Sequence, residues 1–430
     1  MVETIREPER SIPVAERCDV LVCGGGPAGV AAAVAAARAG ARTQLLEVQG
    51  CLGGLWTAGL LSYVLDPGGK GGFLPEIVAR LAAAGAPPLV ERDAQRPWVD
   101  GAFCCDPEVM KLVLEQVCHE AGVALQLHTR VVATIKEQPG HLTYVLTESK
   151  SGRQAWGASL FVDCTGDGDL AALAGCGFDY GRPGSGETQP MTLMAMVAGI
   201  REAELARAIH GRVGTFDDSK DWLLAEMRRA GVTPSYGRPT LFDIGHGLYA
   251  LMANHEYGYS GLDAGQVTQA TLHARGEVQR IINALRALGG AWAGIRIVAT
   301  AAHIGVREGR RIHGAYTVTA EDLLSGRRHP DAVCTVNFPV DVHATAQAHG
   351  AGYGNEGIRS RPYDIPLRAL MALDVDNLLL AGRCISGDFL AHASYRVTGN
   401  AVPLGEAAGR LAAQAVAAGC SPAELRGAHP

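Results

Sequence analysis

Apolar positions follow two rhythms along this chain, and both appear just after Arg17. Cys18 to Cys23 ("CDVLVC") is a short, nearly continuous apolar run of strand length. Pro27 to Gly40 is alanine-rich, with the spacing and terminal glycine of a helix, and Arg42 to Glu47 returns to a strand. A βαβ opening is therefore expected. "LPEIVARLAAAGA" (74–86) predicts a second helix after a glycine-rich loop. Asp106 to Gly122 predicts a third, with Asp106 as N-cap, Pro107 in its first turn and Gly122 at its close. Three strand-like pieces follow: 124–137 ("ALQLHTRVVATIKE"), 141–149 and 158–168, the first two alternating as antiparallel strands with one exposed face do.

The rhythm changes from about Pro183 to Gly290, where polar, glycine-rich loops such as "GRPGSGETQP" and "NHEYGYSGLDAG" separate helical pieces. From about Arg296 it returns to strands and a long alanine-rich helix ending at Gly419. The expected fold is α/β: a Rossmann-like dinucleotide-binding domain formed by residues 18–182 and 295–420, with residues 183–294 inserted as an α+β substrate segment.

Composition narrows the classes. At 430 residues, with 47% hydrophobic and 19% charged positions, the chain is an ordinary globular one. Its net charge of −6 comes without any run of like charges, which argues against nucleic acid as a partner. The 11 cysteines are scattered, with no CxxC and no Cys/His ligand spacing, so reduced thiols and no metal are expected. The first 17 residues are charged and hold two prolines, and the longest apolar run, Val30 to Ala37, cannot span a bilayer. A soluble, cytoplasmic protein without a membrane partner is expected, and a homo-oligomer is allowed for.

The sharpest chemical signal is the turn between the first strand and helix. Gly24, Gly26 and Gly29 fit GxGxxG in the context that motif requires. The first glycine permits the turn, the second lets a pyrophosphate approach the backbone, and the third lets helix and strand pack closely. The helix opening at Pro27 and Ala28 would offer its free N–H groups to the phosphates, and Glu47 at the end of the second strand would hold ribose hydroxyls. No second strand–GxGxxG–helix unit and no paired redox cysteines occur, which argues against a built-in nicotinamide domain and dithiol chemistry.

These motifs, with "LGGLWTAGL", "DCTGDGDLAALAG", "REGRRIHGAYTVTAEDL" and "DNLLLAGRCIS…AHASYRVTGNAVPLGEAAG", resemble the FAD-dependent oxidoreductase family within the glutathione-reductase-like flavoproteins. The resemblance covers about 18–72, 103–177 and 295–419, and it implies FAD as cofactor. It implies a binding set of Gly53 and Gly54 in the glycine-rich loop, Arg130 and Val131 on a strand, and Thr165, Gly166 and Asp167 in a strand-ending turn. Gly382 and Arg383 would form the second flavin turn, with Asp388 available to the ribityl chain or pyrophosphate, and Asn400 and Ala401 would stand at the head of the final helix. One departure matters: where the family often has Thr-His-Glu, this chain has Asp388, Phe389 and Leu390, so the family histidine has no counterpart and His392 is the nearby alternative.

The expected activity is hydride transfer between a small organic substrate and flavin. A monooxygenase, a redox-neutral isomerase or lyase, and a flavin-binding protein without turnover are the alternatives. His343, which follows an apolar strand and a proline, and His392 are the candidate acid/base groups. Tyr395 and Arg396, just past the flavin turn, are candidates for orienting substrate. Arg307, Arg310 and Arg311 read first as an Arg/Glu network bracing the two domains, with anion recognition as the other role. His246, His255, Tyr257 and Tyr259 sit in loops that could cover a pocket.

Overall fold

In the computed structural model, which describes residues 3–86, 88–90 and 96–427, Val14–Cys23 lies inside a seven-stranded sheet. Thr43–Leu46 and Gly152–Asp163 flank it, both parallel to it. Ala124–Gln126 adds parallel outside Thr43–Leu46, and Leu378–Leu380, from near the other end of the chain, pairs parallel with the end of Gly152–Asp163. Tyr144–Ser149 and Arg130–Ile135 continue the sheet as an antiparallel meander. Val20 to Cys23 and Leu160 to Val162 are buried throughout, as strands covered on both faces must be.

The stretch 124–137, expected as one antiparallel strand, makes two. His128 takes a φ of 53°, and the resulting turn sends Ala124–Gln126 into the parallel part and Arg130–Ile135 into the meander. The Thr129 amide donates to the Glu47 carbonyl at 2.9 Å, which fastens that turn beside the second strand. A single left-handed residue leaves no trace in hydrophobic alternation.

The first helix, Pro27–Arg38, packs against the last long one, Thr398–Ala418. Small residues make the approach close. A Cβ on Gly405 would stand 2.1 Å from the Ala28 carbonyl oxygen, and one on Gly409 equally near that of Ala32.

The middle of the chain builds a separate four-stranded antiparallel sheet in the order Thr240–Gly245, Leu248–Met252, Ala195–Ala198, Arg296–Thr300. Its last strand lies past position 294, where the return to the first domain was expected. Phe216–Arg229, opened by a Thr215/Asp218 capping box, and Ala264–Ala287, capped by Asp263, accompany it. Val197, Leu223, Met227, Val278, Ile281 and Trp292 belong to a core cluster drawn wholly from this part of the chain. No described helix is long and apolar enough to cross a membrane.

Candidate active site

The strands Val14–Cys23, Thr43–Leu46, Gly152–Asp163 and Leu378–Leu380 all end at one cavity of about 1020 Å³, reached through Gly24, Glu47, Cys164 and Gly382. The crevice beyond the carboxyl ends of parallel strands is where α/β sheets hold nucleotides. Thr192, Met194, Thr240, Phe242 and Met252, from the middle of the chain, line the same space.

At the sheet end, the three glycines differ in what surrounds them. Gly24 has a φ of +100°, and a Cβ there would meet the Cys164 carbonyl oxygen at 2.3 Å; one on Gly29 would meet the Gly24 oxygen at 1.7 Å. Gly26 has an ordinary extended backbone, and its Cβ would touch nothing within 4 Å. It faces the cavity. The helix that follows has no side-chain N-cap and no acid in its first turn, so its leading amides are left for a ligand.

Pro27, Ala28, Glu47, Gly54, Arg130, Val131, Thr165, Gly166, Asp167, Gly382, Arg383 and Ala401 also line the cavity. Glu47, 6% exposed, ties the glycine turn down. Its Oε2 accepts from the Gly25 amide at 2.5 Å and its Oε1 from Gln49 at 2.7 Å, while burial pushes its pKa up. Arg383 donates to Asp167 at 2.6 Å and the Thr165 hydroxyl to Asp163 at 2.7 Å, so both turns are pre-formed. Gly53 lies outside the lining and starts the short 3-10 turn Gly54–Trp56 with a φ of +103°. Asn400, beside Ala401, lies outside the lining and is fully buried with both amide atoms unpaired. An open position at Gly26 and uncapped amides at the head of the first helix suit FAD.

Three expected site residues lie off the cavity lining. Asp388 caps Phe389–Tyr395, accepting from Ala391 at 2.7 Å, and its other oxygen takes the Ala320 amide at 2.7 Å. Tyr395 is buried, and its hydroxyl donates to the Ile385 carbonyl at 3.0 Å. His392 is 0% exposed, 3.9 Å from Glu308 at its nearest, with both ring nitrogens unpaired. None of the three lines the cavity. The helix turns His392 and Tyr395 into the core, has Asp388 as its part-buried N-cap, and leaves Arg396, its C-cap, at the wall.

His343 and Arg396 do share the cavity. His343 Nε2 lies 3.1 Å from Asp341 Oδ2, and its Nδ1 lies 3.1 Å from His255 Nε2. His255 Nδ1 in turn stands 3.2 Å from the Tyr257 hydroxyl, which donates to the Ser235 carbonyl. Burial, with Arg307 and Arg396 beside it, pushes His343 down to about 4 against the pull of Asp341. Burial alone would raise Asp341, but His343, Arg396 and Arg307 outweigh it and hold the carboxyl below its usual range. Lys220 lines the same cavity, its Nζ 3.0 Å from the Tyr353 hydroxyl.

Arg310 lines the cavity and bridges the Asp167 carbonyl and Asp169, whereas Arg311 is buried on Glu308 and the Gly181 carbonyl. His246 is exposed in a hairpin turn. Gln189, Lys220, Tyr236 and Asp341 were not singled out from the sequence. Asp341 had a usable signal, since it stands two positions before His343 and shares a face with it on extended chain. Away from the cavity, Glu256, His273 and Glu277 bring ligand-type atoms within 4.8 Å of one another. His273 hydrogen-bonds Glu256 at 2.7 Å and Glu277 holds Ser235, which braces the loop carrying His255.

A family model described as FAD dependent oxidoreductase matches residues 19–429. No curated protein matches the chain. Among solved structures, it is similar to a geranylgeranyl bacteriochlorophyll reductase-like protein from Thermoplasma acidophilum, at 14% identity over 93% of this chain and 78% of that one, TM-score 0.47. It is also similar to a myxobacterial chondrochloren halogenase, at 14% identity over 96% and 76%, TM-score 0.49. A third is p-nitrophenol 4-monooxygenase from Pseudomonas putida DLL-E4, at 12% identity over 70% of each chain, TM-score 0.42.

Proposed function

The chain belongs to the FAD dependent oxidoreductase family, and on that premise we propose that it oxidises a small organic substrate, with Asp341 and His343 receiving the substrate's proton. FAD, held by the glycine turn, Glu47 and the Thr165–Asp167 and Gly382–Arg383 turns, supplies the hydride acceptor when bound.

The observation that carries this reading is the relay Asp341, His343, His255 and Tyr257, joined by contacts of 3.1, 3.1 and 3.2 Å. The carboxylate is its strongest acceptor, so neutral His343 donates from Nε2 to Asp341 and accepts at Nδ1 from His255 Nε2, while the single Tyr257 proton reaches His255 Nδ1 or the Ser235 carbonyl. With His343 pushed down to about 4, the pair holds no extra proton at neutral pH. A proton leaving the substrate is taken up by this pair, entering at Asp341 while His343 holds the carboxylate in place. The other Asp341 oxygen has no partner among the described residues, and Asp341 lines the cavity, so it is the relay's open end toward substrate.

Anaerobic mixing of FAD-loaded protein with a panel of small hydroxy and amino compounds tests this. Loss of the visible flavin absorption is expected with the parent, slowed by roughly 10²–10⁴ in His343→Ala. Equal rates overturn the proton assignment. Bleaching by NAD(P)H alone, with none by any organic reductant, overturns the oxidation reading and supports a monooxygenase.

A further inference from the structure

The proton-accepting end of the cavity carries more positive charge than it neutralises. Arg307 Nη1 donates to the Pro190 carbonyl and the Thr192 hydroxyl, each at 2.8 Å, and no carboxylate pairs with it among the described residues. Its Nε and Nη2 find no acceptor there either. Arg396 spends Nη2 on Gln189 Oε1 at 3.0 Å and the Asp341 carbonyl at 2.8 Å, leaving its Nη1 without an acceptor and its Nε buried and unpaired. Of the nearby acids, Asp341 faces His343 with one oxygen, which lies 3.6 Å from Arg396, and Glu308 is held by Arg311 and Gln189. Tyr236 lines the same space with its ring centroid 4.1 Å from that of His255, and its hydroxyl makes no hydrogen bond among the described residues.

Two guanidinium groups in a largely buried space, with Asp341 near Arg396 and no carboxylate on Arg307, repel each other, and burial together with Arg396 pushes Arg307 down to about 10. An incoming anion relieves that cost, and paired N–H groups match a carboxylate's two oxygens. Phe242, Phe338, Val340 and Tyr353 add aromatic and apolar surface to the cavity beside the polar Lys220 and Asp217, suited to the body of an organic acid. We propose that Arg307, Arg396 and the Tyr236 hydroxyl form a carboxylate-binding fork, so that the substrate is a small carboxylic acid. The inference rests on the oxidation reading only in calling the bound acid a substrate.

The test uses FAD-loaded protein and reads binding, by calorimetry and by the change in the visible flavin spectrum, for benzoate, benzamide and inorganic phosphate. Saturable benzoate binding is expected, at least tenfold tighter than benzamide, since losing a charge-assisted hydrogen bond removes roughly that factor or more. Arg307→Met and Tyr236→Phe should each weaken benzoate about tenfold or more while leaving flavin content unchanged, and Arg307→Lys should fall between Arg307→Met and the parent. Equal binding of benzoate and benzamide, tighter binding of phosphate, or benzoate binding unaffected in flavin-replete Arg307→Met and Tyr236→Phe would each overturn the fork. Benzoate binding as expected by a protein that no organic compound reduces would leave the fork standing and sink the oxidation reading.

Discussion

Replacing Gly405 by alanine sets two effects of known size against each other. Alanine in a helix interior is worth about 0.5–1 kcal/mol over glycine, because it restricts the unfolded chain. At Gly405 the added Cβ would stand 2.1 Å from the Ala28 carbonyl oxygen and 2.8 Å from its carbon. Relief requires the first and last helices to part by more than about 1 Å against ordinary van der Waals contact. Gly409 holds a second close approach, at the Ala32 carbonyl one turn along, so the helices cannot part at one point without tilting. Overpacking of this kind costs typically about 1–3 kcal/mol, so strain outweighs propensity and Gly405→Ala should destabilise by roughly 1–2 kcal/mol. Gly276→Ala is the matched control. It lies inside the helix Ala264–Ala287, has no positive φ, and its Cβ would meet only the Arg280 guanidinium at 3.5 Å. There propensity acts alone, and a gain of about 0.5–1 kcal/mol is expected. Urea unfolding of both variants beside the parent decides the matter. If Gly405→Ala is as stabilising as Gly276→Ala, the close-approach argument fails.

Other substitutions separate fold from chemistry. Gly26→Val should leave the unfolding free energy of flavin-free protein in urea within about 0.5 kcal/mol of the parent, because the new side chain enters open space, yet abolish FAD retention, read as flavin absorbance after desalting; retained flavin would put the cofactor elsewhere. Lys220 is pushed down from an ordinary 10.5 to about 7 by burial and then by Arg238. The folded state therefore binds fewer protons than the unfolded between those values, and stability rises with pH across that window. Lys220→Met should remove this rise and be more stable than the parent at pH 7 and below, by up to a few kcal/mol at about 1.4 kcal/mol per pKa unit, with the advantage fading toward pH 10.5; parallel stability curves for the two proteins would refute it. For His343, held near 4, flavin reduction should be flat around neutrality and fall as pH drops through about 4, where the ring gains its proton. Asp341→Asn should slow reduction about as much as His343→Ala, and reduction at the parent rate would remove Asp341 from the proton path.

The glycine turn was legible because its chemistry is local: strand, three glycines, helix and acid lie within thirty positions, and each role follows from spacing. FAD as cofactor and the family rest on the same stretch joined to distant turns, and the match over residues 19–429 agrees. The substrate end was legible only in part. Proximity in sequence to the flavin turn suggested Asp388, His392, Tyr395 and Arg396 alike, but the direction each faces depends on the helix beneath them, and only Arg396 reaches the cavity. Tyr236, Gln189 and Lys220 come from segments far apart in the chain with no shared spacing. Lys220 in particular sits on a helix whose sequence reads as charged and solvated, although the residue is 3% exposed.

The core cluster around Val197, Leu223 and Ile281 takes all its members from one stretch of chain, and that has a bearing on how this protein can change. A segment with an interior of its own tolerates change there, but a second cluster joins its Leu193, Met194 and Phe242 to Leu60, Tyr63 and Cys104 of the first part of the chain. Arg307, Asp341, His343 and Arg396 all lie past position 300. Grafts with joints near 183 and 300 would therefore keep the glycine turn together with these four side chains, and would have to preserve the apolar seam between the two parts.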